Sequence, residues 1–272
     1  MPDAAKIEPR APHLETTHFY DDLSRHYHLI YQDWSAVVRR EAAVVDSLLR
    51  RFAPGFRSPE QHRILDCAAG IGTQALGLWG LGYDILASDL SRRSLAMLQE
   101  HAAGFRPQGA AFSEVETRIE DYCTLERSFA AASFGSVICM DNAVAHMLTR
   151  EDLRTAVRSM ASVLAEGGVI LLSLRPYDEL QATRPTFHPE APRFKSERMY
   201  FQVWRWLGRD LYDSHFFLIL SDDRVLSWRT RFRAIGLREV REAFDEIGFE
   251  TVELGPEDSG YFQPVVVARC RR

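Results

Sequence analysis

Lysine is almost absent from this 272-residue chain, in which Lys6 and Lys195 stand among 33 basic residues that are otherwise arginine. Acidic residues number 38, so the formal net charge is −5 and the isoelectric point lies near 6.0. Proteins that bind nucleic acid usually present a strongly basic face. The charge balance therefore argues against a nucleic-acid partner.

Long apolar segments and clustered cysteines are also missing. The longest apolar run, Gly167 to Leu174, is far shorter than the roughly 20 residues that span a bilayer. The proline-containing first residues hold no apolar core of the signal-peptide type. The cysteines are scattered without a C-x-x-C pair: Cys67, Cys123, Cys139 and Cys270. They are typical of reduced core residues, so we expect a cytoplasmic protein without disulfides, a metal site or a membrane contact.

Hydrophobic residues make up 46% of the chain, enough for one sizeable α/β domain with a smaller element attached. Between residues 62 and 175, apolar strands alternate with helical segments, which is typical of a parallel sheet covered by helices on both faces. Residues 176–236 break this rhythm, and Phe201 to Trp206 alternates apolar with polar residues, which predicts an inserted antiparallel cap. Residues 237–272 are expected to complete the core sheet.

The region before the core is predicted to be helical. Apolar residues recur at helical spacing from Phe19 to Arg51, after a tail that we expect to be loose up to about residue 16. Residues 1–61 are therefore interpreted as a tail followed by a helical lid. Within the core, Ser91 is predicted to cap a helix, and Gly167 with Gly168 to end the helix that begins at Arg150.

The most informative stretch runs from Ile64 to Gly72, where a short apolar strand leads into Asp66 and then into two glycines. Glycine allows a sharp turn and a close approach of ligand to backbone. Open α/β sheets bind their ligands beyond the carboxyl ends of the strands. A second strand ends at Asp89, 19 residues after Gly70, about the offset at which a carboxylate accepts the hydroxyls of a ribose.

Two ligands fit this stretch. Residues Gly70 to Ala75 match the loose G-x-G-x-x-G/A pattern of dinucleotide sites. Asp66, however, would repel a pyrophosphate and suits an ammonium group, and the loop offers no lysine or arginine to a phosphate. The ligand that combines a ribose, an ammonium group and no phosphate is S-adenosylmethionine. A dinucleotide stays open as the less favoured alternative.

The spacing D-x-x-x-G-x-G from Asp66 to Gly72 resembles the first motif of class I methyltransferases, and the resemblance covers most of the chain. It implies a Rossmann-like fold, a mostly parallel seven-stranded sheet with helices on both faces, together with the small antiparallel cap and the N-terminal helical lid. It also implies S-adenosylmethionine as cofactor and S-adenosylhomocysteine as product. The residues expected to bind the cofactor are Asp66, Ala68, Gly70, Gly72, Asp89, Leu90, Asp121, Tyr122, Met140, His146, Trp34, Arg40 and Tyr20.

Three further segments resemble glycine N-methyltransferases and bacterial glycine/sarcosine N-methyltransferases. Asn142 is followed four residues later by His146, Arg175 lies in an R-x-Y-D pattern, and a Y-H-L-I-Y-x-D-W segment covers residues 27–34. The resemblance implies that Asn142 and Arg175 bind the acceptor's carboxylate, for which a guanidinium offers two parallel hydrogen bonds. It also implies that Arg40 reaches the methionyl carboxylate. Pro176 departs from the polar residue usual at its position.

The resemblance therefore predicts N-methylation of a small amine that carries a carboxylate, such as glycine, sarcosine or a related metabolite. Its expected catalytic residues are Asn142, Arg175, Tyr31 and Tyr177, and its expected acceptor-binding residues are Asn142, Arg175, Trp204, Trp206 and Tyr261. Transfer from a sulfonium is an in-line displacement, in which the protein mainly positions a neutral nucleophile about 3 Å from the methyl carbon. The sequence names no general base for this step.

Several alternatives stay open at this point. The same fold can cyclise the cofactor, methylate an oxygen atom of a natural product, or bind the cofactor without catalysis. Both a monomer and a homo-oligomer are compatible with the sequence.

Overall fold

A computed structural model describes residues 11–55, 62–106, 114–188, 193–195 and 198–270. Its larger sheet has seven strands in the spatial order β3-β2-β1-β4-β5-β11-β10. Five neighbouring strands are parallel: β1 (Arg63–Asp66), β2 (Asp84–Asp89), β3 (Glu116–Ile119), β4 (Phe134–Cys139) and β5 (Leu164–Ser173). Two antiparallel strands complete it at one edge: β10 (Phe249–Leu254) and β11 (Val265–Cys270).

The second sheet, called the cap below, consists of four antiparallel strands in the order β6-β7-β8-β9. Their bounds are β6 (Arg193–Lys195), β7 (Arg198–Trp206), β8 (Leu211–Leu220) and β9 (Val225–Arg233). Along β7, Tyr200, Gln202 and Trp204 are buried, as the alternation of side chains along a strand requires when one face is covered. On β8, Phe216 packs edge-on against Phe19 of the first helix, with ring centroids 5.2 Å apart.

Helices connect and cover these strands. They are α1 (Ala11–Tyr27), α2 (Trp34–Phe52), α3 (Ala75–Gly80), α4 (Arg92–Ala102), α5 (Arg150–Ser162), α6 (Tyr177–Thr183), α7 (Leu237–Asp245) and α8 (Pro256–Ser259). Helices α3 and α4 pack on β2, with α2 against α3 and α1 against α4, whereas α5 packs on β5 and α7 on β10. The Ser91 hydroxyl accepts a hydrogen bond from the Ser94 amide at 3.0 Å, so the predicted cap of α4 is confirmed.

The predicted fold class is confirmed by this arrangement. Central strand residues such as Leu65, Val137 and Leu171 have no exposed surface, which explains why the strands are almost continuously apolar in sequence. Among the residues that the structure describes, no helix is long and apolar enough to cross a membrane.

Two local predictions were wrong. Helix α1 begins at Ala11 rather than after residue 16, because Pro12 falls in its first turn, where a missing amide hydrogen breaks no helical bond. Gly167 and Gly168 do not end α5 but lie inside β5. A Cβ atom on Gly168 would come within 2.5 Å of the Gly135 carbonyl oxygen, so this glycine permits the close approach of β5 to β4 where their register shifts.

The parallel strands place their carboxyl ends at one edge of the sheet. The loops that follow β1, β2, β4 and β5 therefore meet there, beneath α1 and beside the cap.

Candidate active site

Two connected depressions lie at this edge of the sheet. The narrow cavity, about 70 Å³, is formed by the β1–α3 loop, the end of β2, the segment after β4, and α1. The broad cavity, about 610 Å³, is formed by α1, the ends of β4 and β5, the cap and the segment before β11. Among the described residues, Tyr20, Tyr27 and Asp141 line both. These three side chains therefore mark where the cavities meet.

Most residues predicted to bind the cofactor line the narrow cavity: Ala68, Gly70, Asp89, Leu90, Tyr122, Met140, His146 and Tyr20. Asp89 is held firmly, because its two carboxylate oxygens accept hydrogen bonds from the amides of Gly70 and Ser91, each at 2.8 Å. Burial raises the pKa of Asp89 to about 6, and these hydrogen bonds oppose the increase. The carboxylate thus has a fixed direction at the end of β2.

Asp66, at the end of β1, is 1% exposed and does not line either cavity. Its Oδ1 accepts a long hydrogen bond of 3.4 Å from the Ala68 amide, whereas Oδ2 is buried with no hydrogen-bond partner among the described residues. Burial raises its pKa to about 8, and the negative charges of Asp89 and Asp141 add to the increase. In the described part of the chain no ion pair involves Asp66 or Asp89, so this region favours a cationic ligand.

Four other predicted cofactor residues are placed outside the narrow cavity. Gly72 packs tightly, since a Cβ atom there would lie 2.8 Å from side-chain carbons of Leu76 and Leu98. Asp121 accepts a hydrogen bond from the Cys123 amide at 2.8 Å, within its own loop. Trp34 donates its indole hydrogen to Thr73 at 3.1 Å. The Arg40 side chain is 62% exposed and lies 3.6 Å from Glu41, because α2 turns its opposite face to the core.

Helix α1 closes the narrow cavity. The Tyr20 hydroxyl and His146 Nε2 are 3.0 Å apart, and Asp21 Oδ1 accepts hydrogen bonds from the Ser91 hydroxyl at 2.6 Å and the Arg93 amide at 3.2 Å. Asp21 thus supplements the cap of α4 from another helix. A cavity of about 70 Å³ is well below the ~300–1,000 Å³ typical of small-molecule sites. The narrow cavity is therefore too small for a whole nucleoside, and α1 is one of the elements that cover it.

In the broad cavity, Asn142 follows Asp141, and both have left-handed backbone conformations with φ of 68° and 54°. Such conformations are rare outside glycine and concentrate at functional sites. Asn142 is 3% exposed, and its Oδ1 accepts a hydrogen bond from the Arg175 amide at 3.2 Å. Its Nδ2 is buried and has no hydrogen-bond partner among the described residues. Asn142, which lines the broad cavity, therefore keeps one side-chain donor unused.

Arg175 also retains unused donors. Its guanidinium donates to the Tyr212 hydroxyl at 2.8 Å and to Gln202 Oε1 at 3.5 Å, while its Nε is buried without a partner in the described residues. The charge lies over the rings of Trp204 and Phe232, 5.1 and 5.2 Å from their centroids. Burial lowers the pKa of Arg175, but the surrounding tyrosines more than reverse this, so it stays cationic. In the described chain it forms no ion pair and can receive an anion.

The remaining predicted residues have different positions. Tyr31 lines the broad cavity. Trp204, Tyr177 and Tyr261 are buried outside its walls, and Trp206 contacts the Pro185 carbonyl at 3.2 Å. Trp204 lies behind Arg175, and Tyr177 bonds at 2.8 Å to the Tyr212 hydroxyl that holds Arg175. Unlike Tyr31, the other four residues therefore do not form the surface of the broad cavity, and Trp204 and Tyr177 help to hold Arg175 in place.

Sequence reasoning missed Asp141 and the network attached to it. The Tyr261 hydroxyl donates to Asp141 Oδ1 at 2.7 Å, and it lies 3.2 Å from Glu41 Oε2 and 3.0 Å from the Gln74 amide nitrogen. Burial raises the pKa of Glu41 to about 8, and the charge of Asp141 contributes. The sequence does contain one indication of Asp141, which is its position: it follows β4 closely, just as Asp66 and Asp89 end β1 and β2.

Residues 64–168 match a known protein family, the methyltransferase domain. The chain is 30% identical over 168 residues to a glycine/sarcosine N-methyltransferase of Parasynechococcus marenigrum (strain WH8102), a match covering 62% of this chain and 54% of the relative. It is 28% identical over 127 residues to the glycine N-methyltransferase of Rattus norvegicus, covering 45% and 43%. The chain thus matches about half the length of these curated relatives.

Solved structures extend the similarity to nearly the whole chain. The CcbJ methyltransferase from Streptomyces caelestis superposes with a TM-score of 0.71 at 15% identity, covering 95% of this chain and 98% of that one. The sugar N-methyltransferase KedS8 from Streptoalloteichus gives 0.66 at 20% identity, covering 90% and 93%. At these identities the likeness demonstrates a common fold.

Proposed function

We propose that this chain, a class I S-adenosylmethionine-dependent methyltransferase by its matched domain and its fold, methylates the nitrogen of a small amine that carries a carboxylate. The observation that carries the proposal is the pair of unused donors on Asn142 and Arg175. Both Asn142 Nδ2 and Arg175 Nε are buried without partners in the described residues, and both residues line the broad cavity. Buried donors of this kind favour a ligand with a matching acceptor, and a carboxylate provides it.

The residues of the narrow cavity suit the cofactor. Asp89 would accept the ribose hydroxyls, Tyr122 and Leu90 would contact the adenine, and Asp66 with its unpaired Oδ2 would compensate the methionyl ammonium. Bound there, S-adenosylmethionine would supply an electrophilic methyl group on a sulfonium. The tyrosines at the junction would exclude water and turn their rings to the cation.

The protein's own contribution is mainly positional. Arg175 and Asn142 hold the carboxylate end, so that the amine is directed toward the junction of the two cavities. Holding two reactants in this way can lower a barrier by roughly 7–11 kcal/mol. Tyr212 and Trp204 fix the guanidinium, which has no freedom to swing away from the cavity.

A second candidate acceptor is an amino sugar or another bulky amine. The broad cavity of about 610 Å³ is much larger than glycine requires, and its walls include the rings of Phe216, Phe232 and Phe262. Several structural neighbours are N-methyltransferases of sugars or glycopeptides. The two candidates differ in whether Arg175 is needed for acceptor binding.

The test is turnover of S-adenosylmethionine with glycine, sarcosine, larger amino acids, amino sugars and no acceptor, with products identified by mass spectrometry. A gain of one methyl on the nitrogen of an amino acid supports the proposal. Methylation of the sugars alone would favour the second candidate, and methylation at oxygen would change the reaction. Consumption of cofactor in the control would indicate cyclisation, and binding without any turnover a non-catalytic protein.

A further inference from the structure

We propose that Asp141 binds the acceptor's ammonium group and removes the proton that must leave before methyl transfer. This inference rests on the proposed function and assigns the base that the sequence did not reveal. It would make the acceptor site bipolar, with an anion site at Arg175 and a cation site at Asp141. The acceptor class then narrows to zwitterions with an amine and a carboxylate.

Asp141 is in the right place for both roles. Among the described residues, three line both cavities, and Asp141 is the charged one; the other two are Tyr20 and Tyr27. The acceptor nitrogen must reach this junction, because the methyl donor and the carboxylate site lie on opposite sides of it. The adjacent Asn142 lines the broad cavity, and its buried Nδ2 has no hydrogen-bond partner among the described residues, which indicates a polar ligand there.

The backbone of Asp141 is held in an unfavourable conformation. Its φ of 54° lies in the left-handed region, which residues other than glycine seldom adopt. The Asp141 amide donates to the Ser173 hydroxyl at 2.7 Å, and the Asn142 amide to the Ser173 carbonyl at 3.1 Å. Aspartate and asparagine adopt this conformation more readily than other non-glycine residues, so residues 141 and 142 combine the turn with polar side chains at the cavity.

Asp141 belongs to a chain of hydrogen bonds. The Tyr261 hydroxyl joins Asp141 Oδ1, at 2.7 Å, to Glu41 Oε2, at 3.2 Å. A hydroxyl has one hydrogen, so it can donate to only one of the two carboxyl groups at a time. Burial raises the pKa of Glu41 to about 8, so Glu41 is protonated near neutrality and the Tyr261 hydrogen is left to donate to the Asp141 carboxylate. Tyr261 and Glu41 are positioning residues that act through Asp141.

The step balances in protons and electrons. One N–H bond of the ammonium breaks, its electron pair stays on nitrogen for the new N–C bond, and the proton forms an O–H bond on Asp141. The charged and titratable groups that act on this region come from several elements: Tyr20 and Tyr27 (α1), Tyr31, Glu41 (α2), Asp66 (β1), Arg175 (after β5) and Tyr261.

Binding tests the cation site without turnover. With S-adenosylhomocysteine present, calorimetry would compare L-phenylalanine with 3-phenylpropanoate, and glycine with acetate, each pair differing by the amine. The parent protein should prefer the amino acid, whereas Asp141→Asn should lose about 10- to 100-fold in affinity for it and bind the deaminated acid unchanged or more tightly. Asparagine still accepts the Tyr261 hydrogen bond, so folding should be preserved. Glu257→Gln, which removes an exposed acid outside the cavities, is the matched control.

Kinetics test the proton transfer. At neutral pH, Asp141→Asn should lower kcat/KM about 10²- to 10⁴-fold, and the deficit should shrink as the pH approaches the pKa of the acceptor's own amine. Tyr261→Phe should shift the pH profile in the same sense with a smaller loss. A deficit that is constant with pH would overturn the base role.

The outcomes separate this proposal from the proposed function. If the deaminated acids bind the parent protein but the amine adds no affinity, the Asp141 proposal is wrong and the carboxylate site stands. If neither member of either pair binds, the acceptor class itself is wrong, and this inference is overturned with it.

Discussion

The narrow and broad cavities share a wall but carry opposite charges at their buried ends. Asp89 lines the narrow cavity, and Asp66 precedes its lining residues Cys67 and Ala68. Neither acid has an ion-pair partner in the described chain, whereas the broad cavity contains Arg175, equally unpaired there. The acids that line the broad cavity away from the junction, Glu179 and Glu253, are exposed. A charge without a partner favours a ligand of the opposite sign, so Arg175 predicts an anion in the broad cavity, and Asp89, with Asp66 once it ionises, predicts a cation in the narrow one.

The largest expected effect is on acceptor binding, when the positive charge of Arg175 is removed. Arg175→Met should raise the acceptor KM by about 100-fold or more, because a buried charge-assisted contact is lost, and leave the Kd of S-adenosylmethionine within about threefold. Steady-state kinetics and cofactor titration would measure both. The control is Arg184→Met, since Arg184 also lies over a tryptophan ring, that of Trp206 at 5.1 Å, but lies outside both cavities. An equal loss of cofactor affinity in Arg175→Met would contradict the division between the cavities.

The carboxyl group of Asp66 should make the affinity for S-adenosylmethionine depend on pH. With its pKa near 8, Asp66 is protonated in the free protein at neutral pH, and it must ionise to compensate an ammonium group. Affinity should therefore increase with pH, by up to about tenfold per unit, until about pH 8. Calorimetry in buffers of different ionisation enthalpy should detect a released proton, and Asp66→Asn should abolish both effects. A pH-independent Kd in the parent protein would be inconsistent with this assignment.

The same group should affect stability with a defined sign. The folded-state pKa of Asp66 lies above its usual value of 3.8, so the native state binds the proton more tightly than the unfolded chain. Its contribution to the free energy of unfolding therefore decreases as the pH rises from about 4 to about 8 and is constant above that. Asp66→Asn should be more stable than the parent at pH 8 and similar to it near pH 4 in urea titrations.

Weakening the contact between α1 and α4 should have a smaller effect, which concerns the rate at which the cofactor leaves the narrow cavity. Asp21→Ala removes the hydrogen bonds to Ser91 and the Arg93 amide, a loss comparable with that of a helix cap of about 0.5–2 kcal/mol. Cofactor release in stopped-flow experiments should accelerate by roughly 2- to 30-fold. Asp22→Ala is the control, because the neighbouring Asp22 forms only an exposed pair with Arg93 at 3.6 Å. Equal rates for the two variants would exclude Asp21 as the contact that holds α1 closed.

The smallest effect is expected at Trp206. The predicted cap implied an acceptor contact there, but the indole donates to the Pro185 carbonyl and carries Arg184 on its face. Trp206→Leu should therefore change the acceptor KM by less than about twofold. A large increase would mean that the cap rearranges to bring Trp206 into the broad cavity.

The two cavities also differ in how far the sequence revealed them. The loop after β1 and the acid ending β2 lie within one short segment, so strand ends and glycines were enough to predict Asp89 and Gly70 at one site. The broad cavity is formed by side chains far apart in sequence, such as Tyr27, Asn142 and Phe232. No local sequence pattern predicts that they come together. Arg40 was placed by resemblance and Trp204 by the predicted cap, and both arguments fix a position along an element but not the side on which a ligand lies.

Tyr20 and Tyr27 belong to the walls of both cavities, and both lie on α1. One displacement of that helix would open the narrow cavity and move a wall of the broad cavity at the same time. The acceptor could also enter past the exposed residues of the broad cavity, such as Glu179, whereas the cofactor would depend on α1. The frequency with which α1 lifts, rather than the chemical step, would set the upper limit of turnover.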